Sequence, residues 1–538
     1  MKLLPALLSA LLLLPQAQIS QAQNLTESDQ QISHVLNRLT FGARPGDVEK
    51  VRSIGIQKFI EAQLNPSTLA ESPVVTEQLQ RTAELRGPAA QLIGQYQEFR
   101  KQAKAAKRAA QGVGDNAGGG GKGKKAVALA AQNQAGATAD GIQEFGGNAK
   151  RAAKKRMAAN GAKNPRQFVE AGVVETKLVR AVESPRQLNE LMDDFWFNHF
   201  NVCMNKGLDR VLIGAYEEQA IRPYAMGNFR DLLGATMHHP AMMFYLDNAQ
   251  NTKAGFQSDN PKNKKRGINE NYARELLELH TLGVDGGYTQ KDVMELARVL
   301  TGWGMPGPRA LTSGNGTWAT FDERRHDFGD KVVLGQTIKG TGAQEIEQVL
   351  DMLAKHPSTA HHLSYQMAQY FVADEPPDSL VQKLTERYNQ TGGNIKLMLT
   401  TLFASPEFWD TKYQNNKFKT PFHYTVSAYR ATGSHVDQAK IVANFLKLQG
   451  QPVYACLTPD GYKNTKAAWL NPDGLLKRMD FATRLANQQI RTSGVSYQSI
   501  AATVNGGKLS DKTQKAIDSA PEFQKVAALI GSPEFMHY

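Results

Sequence analysis

The chain has 538 residues, 41% of them hydrophobic, and a formal net charge of +12. This hydrophobic share can build a large core, which excludes a wholly disordered chain. Residues 96–165 hold 14 Lys or Arg and four Asp or Glu, a net charge of +10, which leaves +2 for the rest. Because the remainder is nearly neutral, no specific nucleic-acid recognition is expected.

The first 22 residues have the pattern of a secretory signal peptide. Lys2 supplies a positive charge, Leu3–Leu14 are mostly apolar, and Ser20 and Ala22 are small residues where a signal peptidase reads. Cleavage is expected before Gln23. The alternative is a membrane anchor, but about a dozen apolar residues fall short of the roughly 20 that span a bilayer. We therefore expect an exported protein, periplasmic or extracellular.

Composition divides the mature chain into three parts: an N-terminal helical part over residues 23–95, a basic low-complexity insert over residues 96–165, and a main helical body over residues 166–538. The centre of the insert, Gly118–Gly121, is too poor in apolar residues to fold alone. Its flanks, Glu98–Gln111 and Gly147–Ala159, are expected to be helical. The insert is also the expected contact for an anionic polymer or lipid.

A nucleotide site in the insert is not expected. Gly118, Gly123 and Lys124 have the spacing of a phosphate-binding loop, but Lys125 stands where Ser or Thr would bind magnesium. The sequence therefore indicates no cofactor-binding site there.

Outside the insert, apolar residues recur with the period of a helix. Thr289 and Asp292 have the spacing of a capping box, and apolar residues follow at i, i+3, i+4 and i+7: Val293, Leu296, Ala297 and Leu300. Similar patterns predict further helices over residues 44–62, 184–202, 343–354, 357–373, 394–404 and 472–487. The predicted fold class is mainly α, a large multi-helix body.

Two local patterns interrupt these helices. Thr317–Phe321 and Lys331–Ile338 predict the two strands of a small β-hairpin around the polar turn Glu323–Gly329. Pro stands at three helix junctions, where it suits the first helical turn: His239-Pro240, Ser405-Pro406 and Ser532-Pro533.

The densest polar cluster lies at residues 269–283. On a helix, Glu270, Arg274 and Glu278 share one face, and Glu275 lies beside them. The structural interpretation is a self-neutralising ion-pair stripe. The functional interpretation is a site whose Arg holds an acidic ligand or whose Glu residues bind a metal. Both stay open.

His326 and Asp327 lie in the predicted hairpin turn. We expect the helix over residues 269–279 to face this turn, so that both form one polar centre. Its candidate catalytic residues are Glu270, Arg274, Glu275, Glu278, His326 and Asp327. The sequence has no local zinc or serine-nucleophile motif. A metal site assembled from His199, Glu275 and His326 stays open. So does a purely structural role, in which these histidines pack or donate hydrogen bonds.

A calcium loop is the less favoured interpretation of Asp285–Asp292. Thr281 and Gly283 stand where such a loop needs carboxylates, so a capped helix–turn–helix explains the same residues. Cys203 and Cys456 are the two cysteines of the chain. They form either one disulfide or two small buried thiols.

The sequence resembles the bacterial family known as domain of unknown function 1800. The matching stretches are His34–Gly42, Phe195–Phe200, Asn269–Leu276, Leu282-Gly283, Tyr288-Thr289, Thr301–Trp303, His326–Lys331, Gly335 and His356–Phe371. The string Asn-Glu-Asn-Tyr-Ala-Arg-Glu is highly specific. The resemblance covers nearly the whole mature chain except the insert. One departure is Tyr462, where the family tends to have Trp, and it puts any site built on that Trp in doubt.

The resemblance implies an exported helical protein, commonly encoded beside an exported family related to sulfatases and phosphatases. Two functional classes follow. In the first, the protein is an envelope binding or assembly factor that acts with that exported neighbour. In the second, it is an exported enzyme, for example a hydrolase, with a Glu, Arg and His polar centre that is metal-dependent or metal-free. Because no complete catalytic motif is visible, the sequence favours the first.

Overall fold

The computed structural model describes residues 28–115, 165–258, 267–307, 316, 318–487 and 495–538. The predicted signal peptide, the Gly-rich centre of the insert and its second flank lie outside these residues. The N-terminal helices are α1 (Asp29–Leu39), α2 (Asp47–Ile54), α3 (Ile56–Leu64), α4 (Pro73–Arg81) and α5 (Ala89–Asp115). Helix α5 confirms the predicted first flank of the insert.

Seven helices follow within the next described stretches: α6 (Pro165–Glu183), α7 (Gln187–His199), α8 (Asp209–Tyr216), α9 (Phe229–His238), α10 (Pro240–Tyr245), α11 (Asn271–Glu278) and α12 (Gln290–Val299). A π-helical turn over Glu217–Ile221 continues α8.

The C-terminal part of the described chain is also helical. Its longer helices are α13 (Gln344–Ala354), α14 (Pro357–Phe371), α15 (Asp378–Thr391) and α16 (Ile395–Ala404), then the short α17 (Pro406–Trp409). The rest are α18 (Pro421–Ala431), α19 (Ala439–Leu448), α20 (Lys466–Trp469), α21 (Pro472–Leu485), α22 (Tyr497–Ala501), α23 (Asp511–Ser519), α24 (Glu522–Ile530) and α25 (Pro533–Met536). The mainly α fold class is confirmed.

Local capping explains where several helices begin. The predicted capping box at the start of α12 is present, with Asp292 accepting from the backbone of Thr289 and Thr289 accepting from that of Asp292. The three predicted Pro junctions are confirmed as capped helix starts, in which the side chain of His239, Ser405 or Ser532 accepts a backbone N–H. The single helix predicted over residues 44–62 is two helices, because Gly55 adopts φ 88° and interrupts it.

The strands pair differently from the prediction. Strand β2 (Thr320–Phe321) pairs with β1 (Trp303–Gly304), whereas β3 (Lys331–Val333) pairs with β4 (Gln336–Ile338). The segment predicted as one strand therefore folds back on itself. Leu334 and Gly335 both have positive φ, 50° and 76°, as in the two-residue turns that match the twist of a hairpin.

One continuous hydrophobic core includes residues from Ile32 in α1 to Met536 in α25. The N-terminal helices dock on it through side chains as well: Ser33 donates to the Thr503 carbonyl at 2.8 Å, and His34 lies 2.9 Å from the Phe408 carbonyl. Both cysteines are buried free thiols. Within the described stretches, none of the helices is long and apolar enough to cross a membrane.

Candidate functional site: a central cleft

A cleft of about 320 Å³ opens into the body beside the C-terminal end of α7. Its walls come from α7, from α14, from the end of α11, from the start of α18 and from the segment over residues 451–464. Aromatic residues line it: Phe41, Phe195, Phe197, Tyr370, Phe422, Tyr454 and Tyr462. Charged residues and histidines line it as well: Lys177, Asp194, His199, Glu278, His362, His423, Asp460 and Lys463. Mostly apolar walls with a few polar groups are typical of a small-molecule site.

Helix α7 supplies one wall because of its spacing. Phe195, Asn198 and His199 lie three and four residues apart, so they share a helix face, and all three line the cleft. Trp196 points into the core, where its indole N–H donates to the Ala225 carbonyl at 3.0 Å. The buried Trp196 thus fixes the rotation of the helix and presents its neighbours to the cleft.

His199 is held as a neutral ring. Its Nδ1 lies 2.9 Å from Gln366 Oε1, and its Nε2 lies 3.2 Å from the His280 carbonyl. Burial is the main reason that its pKa falls to about 3, and the nearby His362 contributes. A neutral imidazole carries one N–H, and the His280 carbonyl can only accept, so the Nε2–H donates to that carbonyl. Nδ1 then accepts an N–H from the Gln366 side chain with its amide flipped, which exchanges the oxygen and nitrogen positions. This geometry makes His199 a wall residue and not a proton carrier at neutral pH.

The opposite wall, residues 451–464, is fastened to the chain just after α7. Asn201 donates from Nδ2 to the carbonyls of Cys456 and Thr458, at 3.3 and 2.8 Å. Tyr462 donates its hydroxyl to the Pro452 carbonyl at 2.8 Å, which closes the segment on itself. The Tyr462 that departs from the family pattern therefore has a structural partner within this wall.

The floor of the cleft covers a buried ion-pair network. Lys177 Nζ lies 2.9 Å from Glu217 Oε1 and 3.1 Å from Asp194 Oδ1. Tyr454 donates its hydroxyl to the other Glu217 oxygen. Burial disfavours the charged carboxylate, but the cations of Lys177 and Arg222 outweigh it and lower the pKa of Glu217 to about 2. The ion pair between Lys177 and Glu217 forms the floor of the cleft.

Two carboxylates line the cleft, and a third, Glu275, lies close enough to interact with both. Glu278 and Asp460 line the cleft, and Glu278 accepts from the Tyr288 hydroxyl at 2.9 Å. Burial, followed by the charge of Glu278, raises the pKa of Glu275 to about 7, although Arg274 opposes the shift. Asp460 also raises it, so the three acids form one electrostatic group. A carboxyl group with this pKa can exchange a proton near neutral pH.

Within the part of the chain that the structure describes, three buried nitrogen atoms on residues of the cleft wall have no hydrogen-bond partner. They are Nε2 of His362, Nε2 of His423 and Nδ2 of Asn464. Buried polar groups without partners are rare and costly, so the wall carries unused hydrogen-bonding capacity.

The predicted polar centre is divided in the structure. Arg274 pairs with Glu270 at 3.3 Å on the surface, and the Gln290 side chain hydrogen-bonds to both. The N-terminal half of the predicted Glu270–Arg274–Glu278 row is therefore an exposed ion pair. Glu278 belongs to the cleft and does not complete the row. Among the described residues, no hydrogen bond or ion pair joins this helix to His326 or Asp327. The reason is that α12 packs against α11 on one side and β3 on the other.

His326 belongs to a second, fully buried cluster. Its Nε2 lies 2.8 Å from Glu345 Oε1, and Lys331 Nζ lies 2.6 Å from the other oxygen of Glu345; all three side chains are fully buried. Asp327 pairs with Arg298 at 2.8 Å. The carboxylate partner of His326 is thus Glu345 and not a carboxylate of α11.

A metal centre has no preformed ligand set here. In the part of the chain that the structure describes, no group of three or more His, Cys, Asp or Glu is arranged to hold a metal ion. Of the three weak metal candidates, His199 lines the cleft, His326 lies in the Glu345 cluster, and Glu275 lies beside the cleft mouth.

Sequence reasoning missed Lys177, Glu217, Asp460 and His423. Each reaches the cleft or its floor through a long-range contact that local periodicity cannot predict. One usable signal exists in the sequence: Tyr462, two residues after Asp460, is where the chain departs from the family pattern. Glu217 lies in a π-helical turn, a distortion frequent at functional sites, and local helical periodicity does not predict such a turn.

Comparison with known proteins assigns the chain to a family. No curated protein and no solved structure matches the chain. The family model described as protein of unknown function, DUF1800, matches residues 34–537. This range contains the cleft, the Glu345 cluster and the basic insert. The chain therefore belongs to the DUF1800 family.

Proposed function

We propose that this protein is an exported binding protein of the bacterial envelope, which takes a small polar ligand with an apolar body into the cleft. The observation that carries the proposal is the wall itself: aromatic side chains surround a space of about 320 Å³, and charged side chains and histidines lie among them. A ligand in this space would cover the aromatic rings, and burying that apolar surface favours binding.

The test uses a blocking variant and a matched control. Val284 is 64% exposed and lines the cleft, whereas Val74 is 42% exposed and lies on α4. Neither Val284→Trp nor Val74→Trp should disturb the core. Thermal unfolding of the wild-type protein is measured against amino acids, monosaccharides, short peptides and organic acids. A compound present well above its Kd should raise the Tm by about 2 °C.

The stabilising compounds should lose their effect on Val284→Trp and keep it on Val74→Trp. Two results would reject the proposal: no compound stabilises the wild-type protein, or the stabilisation survives Val284→Trp unchanged. Export is part of the proposal and has its own test. N-terminal sequencing of the native protein should begin at or near Gln23, whereas an intact Met1 in a membrane fraction would indicate an anchor.

The second candidate function is a hydrolase, favoured by the pKa of Glu275 near 7 beside Glu278 and Asp460. Such a group can act as a general acid or base. In this mechanism Glu275 would activate a water molecule as the nucleophile. Assays with chromogenic esters, glycosides and phosphomonoesters should then show an activity that Glu275→Gln abolishes without lowering the Tm.

A Lys–Ser pair elsewhere does not support the enzyme. Lys419 Nζ donates to Ser427 Oγ at 2.8 Å, and burial lowers the pKa of Lys419 to about 7, as in a base beside a nucleophile. The cavity next to the pair is about 10 Å³, room for about one water molecule. Because no substrate fits there, the pair is structural.

A binding role is also compatible with the exported neighbour that the family resemblance implies. A binding protein can present or receive a ligand from such a partner without catalytic residues of its own. Co-purification of the exported pair, compared between wild type and Val284→Trp, would test whether the cleft mouth takes part.

A further inference from the structure

Exposed apolar side chains are concentrated on α19, on α21 and on the link between α20 and α21. Ile441, Leu448, Leu470, Leu476 and Met479 are each between 43% and 67% exposed. Ile441 and Leu448 are seven positions apart on α19, and Leu476 and Met479 are three apart on α21, so each pair shares a helix face. Single exposed apolar residues are ordinary, but a cluster of them marks an interaction surface.

Contacts between the two helices join these residues into one apolar surface. The rings of Phe445 and Phe481 stack 4.2 Å apart, centroid to centroid, which holds α19 against α21. Lys477 Nζ donates to the Leu448 carbonyl at 3.1 Å. The end of α19, with Leu448, therefore lies beside the first turns of α21, which carry Leu476.

The link between α20 and α21 lies at the same place. Gln449 Nε2 donates to the Gly474 carbonyl at 3.3 Å, and a Cβ at Gly450 would lie 3.9 Å from the Trp469 ring. Leu470 follows Trp469 directly in the chain. Leu470 therefore belongs to the same apolar surface.

The shape of the apolar surface suits a soft phase. Leu448 is the last residue of α19, and Leu476 lies near the start of α21. They are 65% and 67% exposed, so their side chains protrude. A protein that binds an apolar helix face needs a groove shaped to receive it. A lipid interface needs no such groove, because protruding apolar side chains insert at the boundary of headgroups and acyl chains.

Lysines border the apolar surface. Lys440 precedes Ile441, Lys447 precedes Leu448, and Lys466 begins α20. Within the described stretches, no carboxylate forms an ion pair with any of the three lysines.

The carboxylates of α21 do not offset these lysines, because they are already paired. Asp473 pairs with Lys477, and Asp480 pairs with Arg484 at 2.9 Å. Over residues 437–484, seven Lys or Arg face four Asp and no Glu. The charge around the apolar surface is therefore complementary to an anionic partner.

We infer that this apolar surface docks the protein on an anionic lipid bilayer, with its leucines inserted at the headgroups and its lysines beside the lipid phosphates. Membrane docking goes beyond ligand binding in the cleft and does not depend on it. An apolar face bordered by Lys is the pattern of a helix that lies in the bilayer interface, and each Lys near an anionic leaflet adds to the attraction. The basic insert differs, because it attracts polyanions by charge alone, and heparin offers no apolar phase for the leucines.

The test is sedimentation of the full-length mature protein with vesicles of about three parts phosphatidylcholine to one part phosphatidylglycerol. Replacing both Leu448 and Leu476 by Ser should weaken binding at least about tenfold, because the inserted apolar area is lost. The matched control replaces Val74 and Met294 by Ser, which are 42% and 48% exposed on α4 and α12, and should bind as the wild type does. An unchanged Tm verifies that both variants fold.

Salt separates this surface from the insert. Raising the salt from about 0.1 M to about 1 M shortens the Debye length from about 10 Å to about 3 Å, which weakens attraction by charge alone. Wild-type protein should keep measurable binding in high salt, and the double Leu variant should lose it. Binding of that variant equal to wild type at both salt concentrations would assign the lipid contact to the insert and overturn the inference. No binding of wild-type protein to the vesicles would also overturn it.

A further variant tests the charge. Replacing Lys440, Lys447 and Lys466 by Gln should weaken binding to the anionic vesicles about tenfold or more and leave binding to pure phosphatidylcholine unchanged. Equal loss on both kinds of vesicle, or no loss on either, would contradict a role of these lysines at the lipid phosphates and overturn the anionic bilayer as the partner.

Discussion

Asn198 and Tyr462 are joined by two hydrogen bonds, although 264 positions separate them in the sequence. Asn198 Nδ2 donates to the Tyr462 carbonyl at 2.9 Å, and the Tyr462 N–H donates to Asn198 Oδ1 at 2.7 Å. Gly461, at φ +68°, makes the approach possible, since a Cβ there would lie 2.3 Å from the Asn198 carbonyl oxygen. One side chain of α7 thus holds the opposite wall of the cleft.

Replacing Asn198 by Ala should therefore loosen that wall. Both hydrogen bonds are lost, and the backbone groups of Tyr462 lose their partners, so unfolding should become easier by about 1–3 kcal/mol. Denaturant unfolding measures the loss, and the Tyr462 amide should exchange its hydrogen faster. Asn205→Ala, at an exposed position of the same region, is the control. Equal stability of the two variants would contradict this role of Asn198.

The Glu345 cluster should behave as a structural element. In Glu345→Gln, the buried Lys331 loses its only charged partner among the described residues, at a cost of about 3–5 kcal/mol. Adding Lys331→Met should recover part of the loss because no unpaired charge remains. Lys339→Met, which removes an exposed pair with Asp330, should change stability by less than about 0.5 kcal/mol.

The same carboxylate predicts a dependence on acid. Burial would raise the pKa of Glu345, but hydrogen bonds from His326 and Lys331 lower it below its ordinary value of 4.5. A lowered pKa means that this contribution is present above about pH 4.5 and is lost as the pH falls through the folded-state pKa. The wild-type protein should therefore lose more stability in acid than Glu345→Gln. Parallel acid profiles would contradict the assignment.

Glu275 should show the opposite dependence. Its pKa is raised to about 7 from an ordinary value of 4.5, so its contribution is present below about pH 4.5 and is lost as the pH rises through 7. Glu275→Gln should be about 1–2 kcal/mol more stable than wild type at pH 8, after allowance for solvent screening, and nearly equal at pH 4.5. Glu270→Gln, which removes the surface pair with Arg274, should show no such gain; a gain of equal size would contradict the assignment.

The sequence predicts α12 well because its signal is local: Thr289 and Asp292 cap it, and Val293 and Leu296 are buried where the period places them. The prediction of the strand pairing is wrong because the pairing depends on a contact that is distant in sequence. The partner of Phe321 is Trp303, 18 positions away, and nothing local marks it. The turn at Leu334-Gly335 is also hidden, because Leu seldom adopts a positive φ.

In the candidate site, too, the sequence predicts the residues that have a local signal and misses those placed by long-range packing. The structure places His199 and Glu278 in the cleft wall, and both lie in stretches that the sequence marks as unusual. Lys177 and His423 reach the cleft because α6 and α18 pack together in the core. Packing of this kind leaves no mark within either helix, so neither residue was predicted.

The basic insert should supply the affinity for polyanions, since its net charge is +10. Binding to heparin should weaken steeply with salt, and replacing Lys122, Lys124 and Lys125 by Gln should reduce the slope of log K against log salt by about 2–3. The control replaces three exposed lysines of the body, Lys440, Lys447 and Lys512. A slope that responds equally to both triple variants would place the interaction on the body.

The central claim is that the cleft is a ligand site, and a crystal structure tests it most directly. Crystals of the mature protein are soaked with the compound that most raises its Tm, and Val74→Trp and Val284→Trp crystals are treated in parallel. Density for the compound should lie between Phe195 and Tyr462 in wild type and Val74→Trp, and it should be absent from Val284→Trp. Density for that compound outside the cleft, with the cleft empty in all three crystals, would contradict the claim.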